Sequence, residues 1–215
     1  MKVVNLLVGG PKTEWPTDLK SDTKIKGPFV GVDRGALSLL EMGIKPIAAV
    51  GDFDSVSSVE LQQIKKNVSN VYCSNPIKDE TDTELGIRYV LKHFPNYQIN
   101  VYGFSGGRLD QLMTNLLMVY KDPIKSVAEK ITLIDRHNFV NFFLPGKYQI
   151  TKISGMKYLD FVSLEKTKLT LPDEKYKLNN YEIKFPVSFS SNEFIGNHAT
   201  FSFDSGILMV IQSSD

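Results

Sequence analysis

PFVGVDRGALSLLEMGIKPIAAVGDFDSVSSVELQQIKKN (28–67) carries two apolar runs, each followed by a helical pattern. PFVGVD (28–33) leads into GALSLLEMG, and PIAAVGD (46–52) leads into a helix expected near 57–67. Neither run alternates with polar residues, so both read as strands buried on two faces, as in a parallel sheet covered by helices. Upstream, VVNLLVGG (3–10) is another such run, closed by Gly9-Gly10. Downstream, a short strand around Val71-Tyr72 precedes a helical stretch at 82–94, and INVYGF (99–104) precedes a helix from about 107 to 121. Thr81-x-x-Glu84 forms a capping box that puts Asp82 in the first helical turn. Behind it Ile87, Val90, Leu91 and Phe94 recur at helical spacing, as do Leu109, Leu112, Met113, Leu116, Leu117 and Tyr120 in the next helix. Both stripes are expected to be core.

After KDPIKSVAEK (121–130) the texture changes. ITLID, NFVNFFL, KYQIT, MKYLDFVSLE, TKLTL, YEIKF, ATFSFD and ILMVIQ alternate with Gly, Pro, Asn and Asp turns, which predicts a sandwich or barrel of strands. The expected fold is an N-terminal, Rossmann-like α/β domain with a parallel sheet (1–125), followed by an all-β domain (126–215). The chain has 215 residues, of which 42% are hydrophobic, enough for a sizeable core. Its 25 Lys+Arg against 24 Asp+Glu give a net charge of +1. That balance argues against a dedicated nucleic-acid binder, whose affinity comes from excess Lys and Arg. The apolar run before Gly9 is too short for a signal segment or membrane span, so a soluble, cytoplasmic protein without a membrane partner is expected.

The aspartates carry the functional signal. Asp33 ends one strand, Asp52 and Asp54 follow another, Asp82 opens a helix, and Asp110 lies just beyond INVYGFSGG. In a parallel sheet the carboxyl ends of the strands share one edge, where ligands bind, so these carboxylates should converge on one cleft. Asp52 and Asp54 are two residues apart and would point the same way from an extended segment. Clustered carboxylates without a His/Cys set suit a hard cation, Mg2+ or Ca2+; a few carboxylates plus substrate phosphates is the usual Mg2+ arrangement. Lys78, Arg34 and Arg108 flank the same turns and could hold phosphate oxygens. Against this stands the commonness of Asp at turns and helix starts, which accounts for any one of them but less well for the set.

Other signals lead less far. Gly103-Phe104-Ser105-Gly106-Gly107 matches the nucleophile-elbow pattern between a strand and a helix, with Asp135, Asp160, Asp173 and His198 downstream. A hydrolase triad needs its acid and base on later strand–helix units, however, and the chain is all-β by then. Gly146-Lys147 lacks the spacing of a P-loop. His93, His137 and His198 show no metal-ligand spacing. Trp15 is expected to pack in a loop, and Cys73 to be a small buried hydrophobe.

GVDRGALSLLEMGIKP, AVGDFDSVS, KDETDTELGIRYV, GFSGGRLDQLMTNL and a late SSNEF together resemble the thiamine pyrophosphokinases, their bacterial branch above all. The resemblance implies transfer of diphosphate from ATP to the hydroxyl of thiamine, Mg2+ dependence, a C-terminal β-sandwich, and a homodimer with thiamine near the subunit interface. By motif position it implies Asp52, Asp54 and Asp82 as metal ligands, and Asp54, Asp82 and Asp110 as the catalytic group. Asp33, Arg34, Lys78 and Arg108 would line the nucleotide, with Asp110, Gln111, Ser191 and Asn192 on thiamine. Animal members set a late tryptophan against thiamine; this chain has none after Trp15, and Phe194 is the substitute nearest the motif. Another ATP-using diphosphotransferase or nucleotide hydrolase, and a non-catalytic nucleotide or thiamine sensor, are the alternatives.

Overall fold

The computed structural model describes residues 2–20, 25–74 and 80–215. They divide into two compact units, residues 1–126 with 133–136, and residues 127–132 with 137–215.

In the first unit, strands β1 (Val3–Leu7), β2 (Phe29–Val32), β3 (Ala48–Gly51), β4 (Val71–Cys73) and β5 (Gln98–Tyr102) pair in parallel in the order β5-β1-β2-β3-β4. Between them run helices α1 (Arg34–Glu41), α2 (Ser58–Asn67) and α3 (Asp82–His93), and α4 (Leu109–Leu117) follows β5. β2 and β3 are buried along their whole length, as their unbroken apolar runs require. Successive strand residues face opposite sides of a sheet. A Cβ on Gly31 would lie 2.3 Å from the Ala36 Cα of α1, whereas a Cβ on Gly86 of α3 would lie 2.6 Å from Cγ2 of Val32. α1 and α3 therefore cover opposite faces of β2, each set so close that the contact point has no room for a side chain.

The capping box Thr81/Glu84 forms as read from sequence, and a second, Ser57/Glu60, starts α2. Two expectations fail. Leu109, Met113 and Leu117 of α4 are exposed (72%, 46% and 37%) and Leu112, Leu116 and Tyr120 half-buried, so half of that stripe is a surface of this chain. Cys73 is exposed too, because among the described residues β4 pairs only with β3 and ends the order of strands.

β6 (Ile131–Ile134) has residues in both units. The second unit then builds β7 (Asn138–Phe143), β8 (Gly146–Thr151), β9 (Tyr158–Ser163), β10 (Thr167–Leu171), β11 (Leu178–Ile183), β12 (Val187–Phe189), β13 (His198–Phe203) and β14 (Leu208–Ser213). Within it the antiparallel order β12-β9-β14-β7 faces a second antiparallel sheet, β11-β10-β13-β8. Their inner faces meet in one core: Leu159 and Phe161 of β9 and Leu208 and Val210 of β14 join Leu169, Leu171, Phe201 and Phe203 from the other sheet. The strict alternation of buried and less buried residues along β9 and β13 is what one buried face per sheet demands. Of the two readings left open, sandwich or barrel, the sandwich forms. Phe194 belongs to this core at 8% exposure, so its ring is not free to stack on a ligand.

One carboxyl in this unit is out of keeping with its surroundings. Glu174 is wholly buried, pairs by its backbone with Phe194, and accepts the Asp173 N–H at 3.1 Å through Oε2, while Oε1 has no hydrogen-bond partner among the described residues. Burial pushes its carboxyl up to about 7 from an ordinary 4.5, with nearby Asp173 adding to the rise and backbone hydrogen bonds opposing it. The folded state then binds this proton more tightly than the unfolded one. The stability it contributes is complete below pH 4.5 and lost as pH rises through about 7. Glu174→Gln should be more stable than wild type at pH 8 by roughly 1–3 kcal/mol, with the difference closing by pH 4.5. Thermal melts of both proteins across that range measure it.

Candidate active site

The loops at the carboxyl ends of the first unit's strands surround a cleft of about 490 Å³. Val8–Pro11 after β1, Asp33 and Arg34 after β2, Asp54 and Ser55 after β3, and Gly103–Ser105 after β5 all line it, with Thr81–Thr83 from the start of α3. A parallel sheet has its ligand crevice at this edge.

The acidic centre forms through backbone conformations that residue spacing does not reveal. Asp33, Asp52 and Asp54 each bring a carboxylate oxygen within 4.8 Å of the other two. Asp33 takes a positive φ of 51°, as does Phe53 at 59°. Non-glycine residues in this region are strained by about 1–3 kcal/mol each, and such strain collects at functional sites. The positive φ of Phe53 means that 52–54 is a turn and not an extended segment. Asp52 and Asp54 converge because the Asp54 N–H donates to Oδ1 of Asp52 at 3.1 Å. Asp33 accepts a hydrogen bond from the Ser55 hydroxyl through Oδ2, while its buried Oδ1 has no hydrogen-bond partner among the described residues. Burial raises its carboxyl above the usual range, and Asp82, Asp54 and Asp52 add to the rise; the Ser55 hydrogen bond opposes it.

A buried carboxylate oxygen without a donor, beside two further carboxylates, is a donor set that fits a hard divalent cation. The three that fit are Asp33, Asp52 and Asp54. Asp33, expected on the nucleotide, is a member of this triplet; Asp82, expected beside Asp52 and Asp54, lines the same cleft and acts on Asp33 through its charge, outside the 4.8 Å grouping. Ser55 was not foreseen, although it completes the GDFDS motif.

Arg34 joins two loops: Nη1 donates to the Ser55 carbonyl at 2.9 Å, and Nη2 lies 3.6 Å from Glu60. Arg108 and Gln111 line the cleft. Asp110 does not join the carboxylates; it is exposed in the first turn of α4 and ion-paired with Arg108, Nε to Oδ1 at 3.0 Å and Nη2 to Oδ2 at 2.5 Å. Arg108 holds that carboxyl below its usual range. Lys78 lies outside the described residues. Ser191 and Asn192 belong to the second unit. Asn192 is 2% exposed, its Oδ1 accepting from Tyr176 N and Glu193 N and its Nδ2 donating to Tyr176 O, so its amide serves to shape that loop. Ser191 has φ 64°, with its N–H bonded to Asp160. In the GFSGG stretch Ser105 donates straight to the Asp135 carboxylate at 2.5 Å, with no imidazole between them, which is not the geometry of an activated nucleophile.

Residues 24–133 match the family described as thiamin pyrophosphokinase, catalytic domain, and residues 147–208 match thiamin pyrophosphokinase, vitamin B1 binding domain. The chain belongs to the thiamin pyrophosphokinase family. Thiamine pyrophosphokinase of Bacillus subtilis is 38% identical over 218 residues, covering all of both chains. A crystal structure of a thiamin pyrophosphokinase family protein from Enterococcus faecalis superposes with a TM-score of 0.93 at 38% identity, and one of a Lactobacillus plantarum protein with 0.91 at 48%, each over the full length of both chains. The family motifs therefore belong to an α/β fold with a β-sandwich, and this family member is a diphosphotransferase.

If the carboxylate triplet holds a divalent cation, millimolar Mg2+ should raise the melting temperature. Binding to the folded state alone stabilises by about 2.7 kcal/mol at a concentration one hundred times Kd. Asp52→Asn should abolish the Mg2+ response without lowering the metal-free melting temperature, since it removes repulsion. An unchanged Mg2+ shift in that variant would count against the triplet.

Proposed function

We propose that this chain carries out its family's reaction in the cleft just described, moving a diphosphate from ATP to the hydroxyl of thiamine and releasing AMP. The observation that carries this reading is the carboxylate triplet at the sheet edge, in one cleft with Asp82, Arg34 and Arg108. In the reaction the thiamine hydroxyl oxygen attacks the β-phosphorus of ATP. The bond from that phosphorus to the α,β-bridging oxygen breaks, and AMP leaves with the oxygen. A bound Mg2+ supplies neutralisation of the charge on the transferring and leaving oxygens.

The remaining work falls to side chains. Asp52 and Asp54 would hold the cation, with Asp82 as its motif implies and with Asp33, whose carboxylate lies in the same triplet. Arg34 and Arg108 offer guanidinium donors to phosphate oxygens, with Lys78 assigned to the same task by its motif. The hydroxyl proton needs an acceptor. Asp54 and Asp110 are the candidates, and the Arg108 ion pair holds the Asp110 carboxyl below its usual range. Gln111 from the cleft and Ser191 from the second unit are assigned to thiamine, with Asp110 at that end as the motif implies; the vitamin B1 match over 147–208 supports a thiamine role for that unit.

The protein is further proposed to be a cytoplasmic homodimer that binds thiamine near the subunit interface. The exposed apolar row Leu109, Met113 and Leu117 supports a partner surface on α4, since water-facing leucines at helical spacing gain from being covered. Among the described residues no helix is long and apolar enough to cross a membrane.

Mixing the protein with ATP, Mg2+ and thiamine and resolving the nucleotides tests the reaction. AMP should form only when thiamine is present; ADP or inorganic phosphate would point to a different transfer. Asp54→Asn should lower AMP formation by about 100-fold or more while the melting temperature is kept. Near-wild-type turnover in that variant would remove Asp54 from the mechanism. Leu109→Lys with Met113→Lys should shift sedimentation of a dimer toward the monomer, and an unaltered dimer would place the interface elsewhere.

A further inference from the structure

Ser105 and Asp135 have no part in the reaction as described, yet the first unit holds them in an arrangement with a chemical consequence. Ser105 lines the cleft, and Asp135 sits behind it at 4% exposure, just past the end of β6. The Ser105 hydroxyl donates to Oδ2 of Asp135 at 2.5 Å. A hydroxyl has one proton to give and two lone pairs to offer, and an ionised carboxylate can only accept. With that proton committed to Asp135, Ser105 faces the cleft as an acceptor.

The surrounding backbone keeps it there. Asn115 donates through Nδ2 to the carbonyl of Phe104 at 2.9 Å, and the Gly10 N–H donates to the Gly103 carbonyl at 2.9 Å, so the two residues that lead into Ser105 are both tied down. An acceptor so fixed is a poor neighbour for phosphate, whose oxygens also only accept. It suits an O–H or N–H donor. Position agrees: β5 lies three strands from β3 in the order β5-β1-β2-β3, roughly 14 Å at about 4.8 Å per strand. A substrate with its phosphates at the Asp33, Asp52 and Asp54 end would thus bring its organic part toward Ser105.

We propose that the Ser105–Asp135 pair is a specificity element, in which Asp135 orients the Ser105 hydroxyl to accept a hydrogen bond from a donor on the organic part of a substrate. This rests on the diphosphate-transfer reading above. The donor is a ribose hydroxyl or the amino group of adenine if the nucleoside lies at this end, or the pyrimidine amino group of thiamine if that ring does. Asp135 is a positioning residue, and Ser105 makes the contact.

Equilibrium dissociation constants by calorimetry separate these sources and do not depend on turnover. The nucleotides are ATP, 2′-deoxyATP, 3′-deoxyATP and purine riboside triphosphate; the others are thiamine and thiamine without its pyrimidine amino group. Wild type should bind one donor-deleted compound about 10-fold more weakly than its parent. Ser105→Ala should bind that parent about 10-fold more weakly and no longer distinguish the two, whereas Ser105→Thr, which keeps the hydroxyl, should retain the preference. Asp135→Asn should narrow it, because an amide can donate to Oγ and release the serine proton toward the cleft. The proposal is overturned if wild type tolerates every deletion, or if Ser105→Ala weakens parents and analogues by the same factor. Thiamine-dependent AMP formation by wild type is measured separately: its absence would overturn the reaction, while the binding comparisons would still decide the pair.

Discussion

Like charges held together govern the catalytic unit. At 4.8 Å two carboxylates repel by roughly 1–3.5 kcal/mol for effective dielectric constants between 80 and 20. Asp33, Asp52 and Asp54 sit within that distance of one another, and Asp33 also has an oxygen buried without a donor among the described residues. No isolated loop would keep such an arrangement. It persists because β2 and β3 are fully buried and paired in register, Val30 with Ala48, Gly31 with Ala49 and Val32 with Val50. The Asp33 N–H is tied to the Val50 carbonyl at 2.8 Å, and Arg34 clasps the Ser55 carbonyl of the opposite loop. The parallel sheet absorbs the electrostatic cost, and a cation with phosphate ligands is what would relieve it.

The same constraint divides the cleft by charge. Carboxylates and Arg34 gather after β2 and β3, and after β5 the wall becomes glycine backbone with the Ser105 acceptor, ending in Arg108 ahead of α4. A triphosphate with a metal ion suits the first region and a neutral organic group the second. The order of strands sets this separation, for each loop can only sit where its strand ends.

The second unit works by different physics. Its two antiparallel sheets enclose aromatic residues in close order, Phe161 edge-on to Phe201 at 5.4 Å and Tyr148 stacked on Phe201 at 5.4 Å. This packing leaves loops free to vary at the strand ends, and the loop at Ser191 and Asn192 is one of them. Asn192 shows how the sandwich shapes it: a buried amide joins the backbone at Tyr176 and Glu193, which fixes the position of Ser191 beside it.

Much of this was legible in the sequence, because strands buried on both faces must be apolar throughout and strands with one buried face must alternate. PFVGVD and PIAAVGD were therefore readable as parallel strands and ATFSFD as a sandwich strand, and the Thr81/Glu84 cap placed α3. β12 escaped notice since Val187–Phe189 is three residues long and follows Pro186. Helical spacing in α4 identified an apolar row but not what covers it, as periodicity describes one element and burial depends on its neighbours. Likewise, the spacing of Asp52 and Asp54 suggested two parallel carboxylates, whereas the left-handed turn at Phe53 and its hydrogen bond create the convergence. The sequence by itself determined the element types, the family and the set of acidic residues, since these follow from local pattern and composition. Only the tertiary structure decided that Asp33 joins the triplet, that Asp110 pairs with Arg108 instead, and that Ser105 meets Asp135 thirty residues away. Those outcomes depend on backbone dihedrals and on which strand ends adjoin, and no spacing along a chain encodes either.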